Sequence, residues 1–154
     1  MRDFSKVSPQ IWRSKRFGTL GDDARMFVLY LLTCQHQSSA GCMVLPDAYA
    51  MADLNWTGER LQAARQAVID ADMLVYEGAS DEYFVRRWFQ HNPPTNPKHR
   101  HGIERLISEL DSEAVREAAQ CEYVSCAPVQ DARGGSGNRL LRTSFINGGK
   151  GSPF

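Results

Sequence analysis

Four groups of side chains are of the types and spacing that meet a phosphate backbone or a base edge. Arg13, Lys15 and Arg16 follow Lys6 in the first sixteen residues. Arg60, Gln62, Arg65 and Gln66 recur within one short stretch, and Arg86 and Arg87 stand together. Lys98-His-Arg100-His101 is a basic run. Glutamine pairs with adenine through two hydrogen bonds, and arginine reaches guanine or phosphate. Each group also has a plainer reading as a solvated face. Glu59, Asp70 and Asp72 favour that reading for the second group, and Ile11, Trp12 and Phe17 can anchor the first by packing.

Other chemistries find little footing. Cys34, His36 and Cys42 lie near one another, but three ligands at this spacing fit no common zinc finger or ribbon. They read as buried thiols and a loop histidine, and no metal or cofactor is expected. Gly148-Gly-Lys-Gly-Ser152 is not a phosphate-binding loop, because Lys150 is not followed directly by Ser or Thr and no strand leads into it. There is no nucleophile elbow, no pair of His ligands on a helix and no Gly-rich dinucleotide turn after a strand, so no enzyme is expected.

The elements that must position these residues follow from local signals. In 46 to 54, Ala48, Met51, Ala52 and Leu54 give a short helix an apolar side. Asn55 tolerates the left-handed conformation that ends a helix, and Thr57 is a good N-cap for the next. Leu61, Ala64, Val68 and Ala71 then repeat at helical spacing. The opposite face carries Glu59, Gln62, Ala63, Gln66 and Asp70, flanked by Arg60 and Arg65. Helix, tight turn, helix is the arrangement that lets the second helix enter a DNA major groove.

A core helix over 20 to 33 precedes this pair, with Asp22 and Asp23 in its first turn and Ala24, Phe27, Val28, Leu31 and Leu32 as a wide apolar stripe. Residues 41 to 46 read as a short strand. The runs 73 to 77 and 83 to 89 read as a hairpin around Gly78-Ala-Ser-Asp81-Glu82, with Arg86 and Arg87 on opposite faces of the descending strand. Asp81 and Glu82 at the tip would repel phosphate. The expected class is α+β and mainly helical: a winged helix-turn-helix with a C-terminal helical extension and a flexible tail. A small all-α helical hairpin is the alternative.

Ser8-Pro9 and Asn96-Pro97 each place a capping side chain before a proline at the first helical position. Ile103, Leu106, Ile107 and Leu110 follow the second. Lys98 and Arg100 then sit where free backbone N–H groups and cations together suit an anion. Three segments are expected: 1 to 95, the winged-helix part with its basic lead-in; 96 to 120, the helical extension; and 121 to 154, a Gly-rich tail with an apolar island at 140 to 146. Eighteen acidic residues balance eighteen basic ones, so a polyanion must be met by local patches rather than by net charge. No stretch is apolar enough to span a membrane, nothing resembles a signal peptide, and the four cysteines read as reduced thiols in a cytoplasm.

Lys6-Val-Ser-Pro-Gln-Ile-Trp12, Phe17, Leu29-Tyr-Leu-Leu-Thr33, Gly41, the Leu54-Asn-Trp56 turn, the hairpin and Asn92 through Pro97 come in a recognisable order. Together they resemble the N-terminal winged-helix domain of phage and prophage replication proteins of the replisome-organiser or helicase-loader type. The resemblance covers roughly residues 5 to 120. It implies binding of double-stranded origin DNA, and a C-terminal part that recruits the replicative helicase or its loader. Here the part after the domain is short and Gly-rich, a departure from that pattern. The expectation is thus a sequence-reading DNA-binding protein of replication initiation in a bacterial host cytoplasm. A transcriptional regulator and a winged-helix adaptor for another protein are the alternatives.

Overall fold

A helix pair and a three-stranded antiparallel sheet share one core, with two further helices closing the sheet from behind. The computed structural model describes residues 4–126. The chain is α+β and mainly helical. A 3-10 turn over Pro9–Arg13 leads into the short helix α1 (Lys15–Gly18) and then α2 (Asp22–Thr33). Next come β1 (Cys42–Val44), α3 (Asp47–Leu54), α4 (Gly58–Asp70), β2 (Leu74–Glu77) and β3 (Glu82–Val85). The helical turn α5 (Trp88–His91), α6 (Pro97–Ser108) and α7 (Glu113–Cys126) complete the described chain.

The local signals act where expected. Asn55 ends α3 at φ 54, and Trp56 N–H returns to the Met51 carbonyl. Thr57 accepts from Arg60 N–H at the start of α4, and Asn96 accepts from His99 N–H at the start of α6. Ser8-Pro9 starts a helix, though a single 3-10 turn rather than a longer one.

The strand order is β1-β3-β2, so β3 is central. All four of its residues are buried, which means both faces are covered. Tyr83 packs toward Phe27 of α2 and Tyr76 of β2. Its neighbour Phe84 points the other way, to Phe89, whose ring meets Tyr123 of α7 at 5.1 Å. Period-two alternation puts Glu82 on the same side as Phe84. There its carboxylate accepts the backbone N–H groups of Asp111 (2.8 Å) and Ser112 (2.7 Å) in the turn before α7. Glu82 is therefore a buried anchor for the α6–α7 turn and not part of an exposed hairpin tip.

Two further expectations are corrected here. The descending strand stops at Val85 instead of reaching 89. Arg87 takes a left-handed φ of 62 and starts α5, so Arg86 and Arg87 do not sit on opposite faces of a strand. The cause is Trp88, which turns inward and donates its indole N–H to the Ser39 carbonyl at 2.9 Å. The helical extension does not end at 120: α7 runs to Cys126 and buries Val115, Ala119 and Tyr123 against β2, β3 and α5. One hydrophobic cluster runs from Phe17 to Tyr123, so the extension shares the core of the preceding segment. The remainder of the expected tail, including the island at 140 to 146, lies outside the described residues.

Candidate nucleic-acid interface

The basic lead-in, the end of β3 and α5 come together around one groove of about 790 Å³. Its rim carries Lys6, Arg13, Lys15, Arg16, Arg86 and Arg87. Its floor is aliphatic, from Ile11, Val28, Leu32, Met73 and Val85. Among the described residues, no carboxylate lines it. Val28 and Leu32 reach this floor because the apolar stripe of α2 is wider than the surface α4 covers. An adjoining hollow shares Lys6, Leu32, Trp88 and Asn92 with the groove and extends past Phe4 to His99 in the first turn of α6.

The cations differ in how firmly they are held. Arg16 donates to both the carbonyl and the carboxylate of Asp72, and Arg86 pairs with the other Asp72 oxygen at 2.9 Å. Burial and the nearby Arg87 charge lower the pKa of Arg16. Crowded like charges of this kind are relieved by an anion. Lys6, Arg13, Lys15 and Arg87 have no described carboxylate within ion-pair distance. Glu122 of α7 has its Oε1 buried without a hydrogen-bond partner among the described residues. Desolvation raises its pKa against the pull of Arg86, Arg16 and Arg87.

The exposed face of α4 is different in character. Glu59, Gln62, Ala63, Gln66 and Asp70 are exposed as the helical spacing predicts. Gln66 already donates to Asp70 at 2.8 Å. Arg60 is clamped by Asp23 through two bonds of 2.6 and 2.7 Å, and its guanidinium lies 4.6 Å from the Trp56 ring centre. Arg65 does not flank an exposed face at all. It is buried, pairs with Asp47 at 2.6 Å, donates to the Tyr83 hydroxyl and stacks 4.1 Å from the Tyr76 ring. Burial alone would lower its pKa, but Asp47 and Tyr83 together raise it. The apolar stripe turns Arg65 inward beside Ala64, where a carboxylate and a phenol supply what water would otherwise give.

No family model, curated protein or solved structure matches this chain. Of the residues singled out in the sequence, Arg13, Lys15, Arg16, Arg86 and Arg87 converge on the groove. Lys98 and Arg100 stand in the first turn of α6, whose His99 lines the adjoining hollow. Arg60, Gln62, Arg65 and Gln66 lie on α4 and line neither hollow.

Phe4 is an exposed ring that the sequence did not single out, and Trp12, expected to pack, is exposed as well. Trp12 is 65% exposed and only edges onto Phe17 at 5.4 Å. Aromatic residues interleaved with Lys6 and Arg13 were the available signal. Cys34 and Cys42 are buried against Met43 and the Ala40 carbonyl, and burial pushes the Cys42 thiol up to about 12. The His36 ring lies tilted against Tyr49, with ring centres 4.9 Å apart. Among the described residues, no group of three His, Cys, Asp or Glu side chains is placed to hold a metal, and no helix is long and apolar enough to cross a membrane.

Proposed function

We propose that this chain is a winged-helix DNA-binding protein that holds phosphates at the groove between its lead-in and α5. The winged-helix assignment is supported by the order α2, β1, α3, α4, β2, β3 and by the sheet order β1-β3-β2. The single observation that carries DNA binding is convergence. Six cations from residues 6 to 16 and 86 to 87, two of them sharing Asp72, rim one groove that no described carboxylate lines, in a chain of balanced charge. Phosphate contacts of this sort supply most sequence-independent affinity. Base reading by α4 would rest on Gln62 and Gln66 alone, beside Glu59 and Asp70, which repel phosphate. The order of the sequence motifs supports a place in replication initiation, with a replicative helicase or its loader as a further partner.

A second reading has one observation in its favour. The acidic exposed face of α4 and Asp81 near the hairpin turn suit a protein partner better than duplex DNA, as a winged-helix adaptor would require.

The test is a salt titration of DNA affinity. Arg13→Gln with Arg87→Gln should weaken binding for all sequences alike. It should flatten the slope of log affinity against log salt by roughly 0.7 to 0.9 per lost phosphate contact. Gln62→Ala with Gln66→Ala should change affinity little. A groove variant with an unchanged slope would return the interface to α4 or favour the adaptor.

A further inference from the structure

We infer that the groove takes single-stranded DNA in preference to a duplex, an inference that rests on the DNA-binding reading above. Two features of the groove go beyond what a phosphate backbone needs. The first is its floor. Val28, Leu32, Met73 and Val85 are apolar and line the same groove as the cations, Leu32 and Met73 half-buried and Val28 and Val85 nearly covered. A duplex keeps its bases stacked and paired and offers a groove only sugar and phosphate, so this floor would stay uncovered. A single strand splays its bases and can lay apolar faces on the floor while its phosphates meet the rim.

The second feature is the pair of exposed aromatic rings. Phe4 is 72% and Trp12 65% exposed, more than any other described aromatic side chain with a large exposed surface. Both stand on the lead-in. Phe4 lines the adjoining hollow beside Lys6, whose ammonium lies 6.0 Å from its ring centre. Trp12 does not itself line the groove, but stands exposed on the same 3-10 turn as Ile11 and Arg13, which do. Exposed rings interspersed with cations beside an open groove suit a single strand, because every base has a face to stack.

The duplex alternative also meets opposition elsewhere. The exposed face of α4 carries Glu59 and Asp70, and its two arginines are held by Asp23 and Asp47. The helix best shaped for a major groove therefore brings no free cation to it.

The test compares the full-length chain on labelled oligothymidine and on a duplex by fluorescence anisotropy. The oligothymidine is chosen longer than the roughly 4 to 16 nucleotides that one such site covers. The single strand should bind more tightly. Trp12→Ala should weaken that binding by roughly 5- to 150-fold, the range for losing one stacked base, and leave the melting temperature unchanged because the ring is exposed. Equal or tighter duplex binding, or single-strand binding indifferent to Trp12→Ala, overturns the inference. The DNA-binding reading survives that result if Arg13→Gln with Arg87→Gln still flattens the salt slope. Binding to neither form overturns both. Polyglutamate bound as tightly as oligothymidine would also overturn it, and would give the groove to an acidic peptide.

Discussion

Arg65→Met removes a buried guanidinium while keeping much of its volume. The native side chain pairs with Asp47 at 2.6 and 3.0 Å, donates to the Tyr83 hydroxyl and stacks on Tyr76. Breaking a fully buried ion pair by removing one partner costs about 3 to 5 kcal/mol. Asp47 is 34% exposed, so water recovers part of its solvation. Tyr83 keeps one acceptor, an Asp47 oxygen at 3.5 Å. The loss should then fall at about 2 to 3 kcal/mol. For a folded unit of this size that corresponds to a drop of roughly 6 to 15 °C in melting temperature. Asp47→Asn in the same background should add little, since the pair is already broken. Circular dichroism melts measure the stability, and anisotropy well below both transitions measures DNA affinity, which should not change. A variant as stable as wild type that has lost affinity would refute this account and make Arg65 a contact residue.

Three other expectations follow. Gly41→Ala should destabilise by about 2 to 4 kcal/mol in chemical denaturation. Gly41 has φ +73, and a Cβ there would come within 2.4 Å of the Trp88 ring; a neutral outcome would show that Trp88 shifts freely. Glu122→Gln should be more stable than wild type at neutral pH. Burial raises the folded pKa of Glu122 above 4.5, so wild-type stability falls as pH climbs from 4.5 through that raised value. The advantage should vanish below pH 4.5, and a variant less stable than wild type at pH 7 would contradict the sign. Lys98→Ala with Arg100→Ala should weaken DNA binding less than Arg13→Gln with Arg87→Gln, because neither side chain lines the groove; an equal or larger loss would move the interface toward α6.

What could be read from the sequence was local. Asn55, Thr57 and Asn96-Pro97 set helix ends through a tolerated backbone angle, a capping oxygen and a fixed φ, none of which needs the rest of the fold. The alternation around Thr57–Asp70 likewise named the exposed face of α4 correctly. Where a distant partner decides, the sequence was silent. Arg65 is drawn inward by Asp47 and Tyr83, each eighteen positions away. The strand propensity of Arg86-Arg87-Trp88-Phe89 loses to the fit of Trp88 against Gly41 and Ser39. One signal was present and underused. The unbroken apolar run Tyr83-Phe-Val85 marks a strand covered on both faces, and so implies that a later helix such as α7 must close the second face. The groove was out of reach, because its cations come from two segments some seventy residues apart in sequence.

The most direct test of the central claim is backbone amide hydrogen exchange of the full chain with and without oligothymidine, read peptide by peptide. Protection should appear at residues 6 to 16 and 85 to 92 and be absent from the exposed face of α4 and from 78 to 81. Protection confined to α4 and the hairpin turn, with the lead-in unchanged, would contradict it.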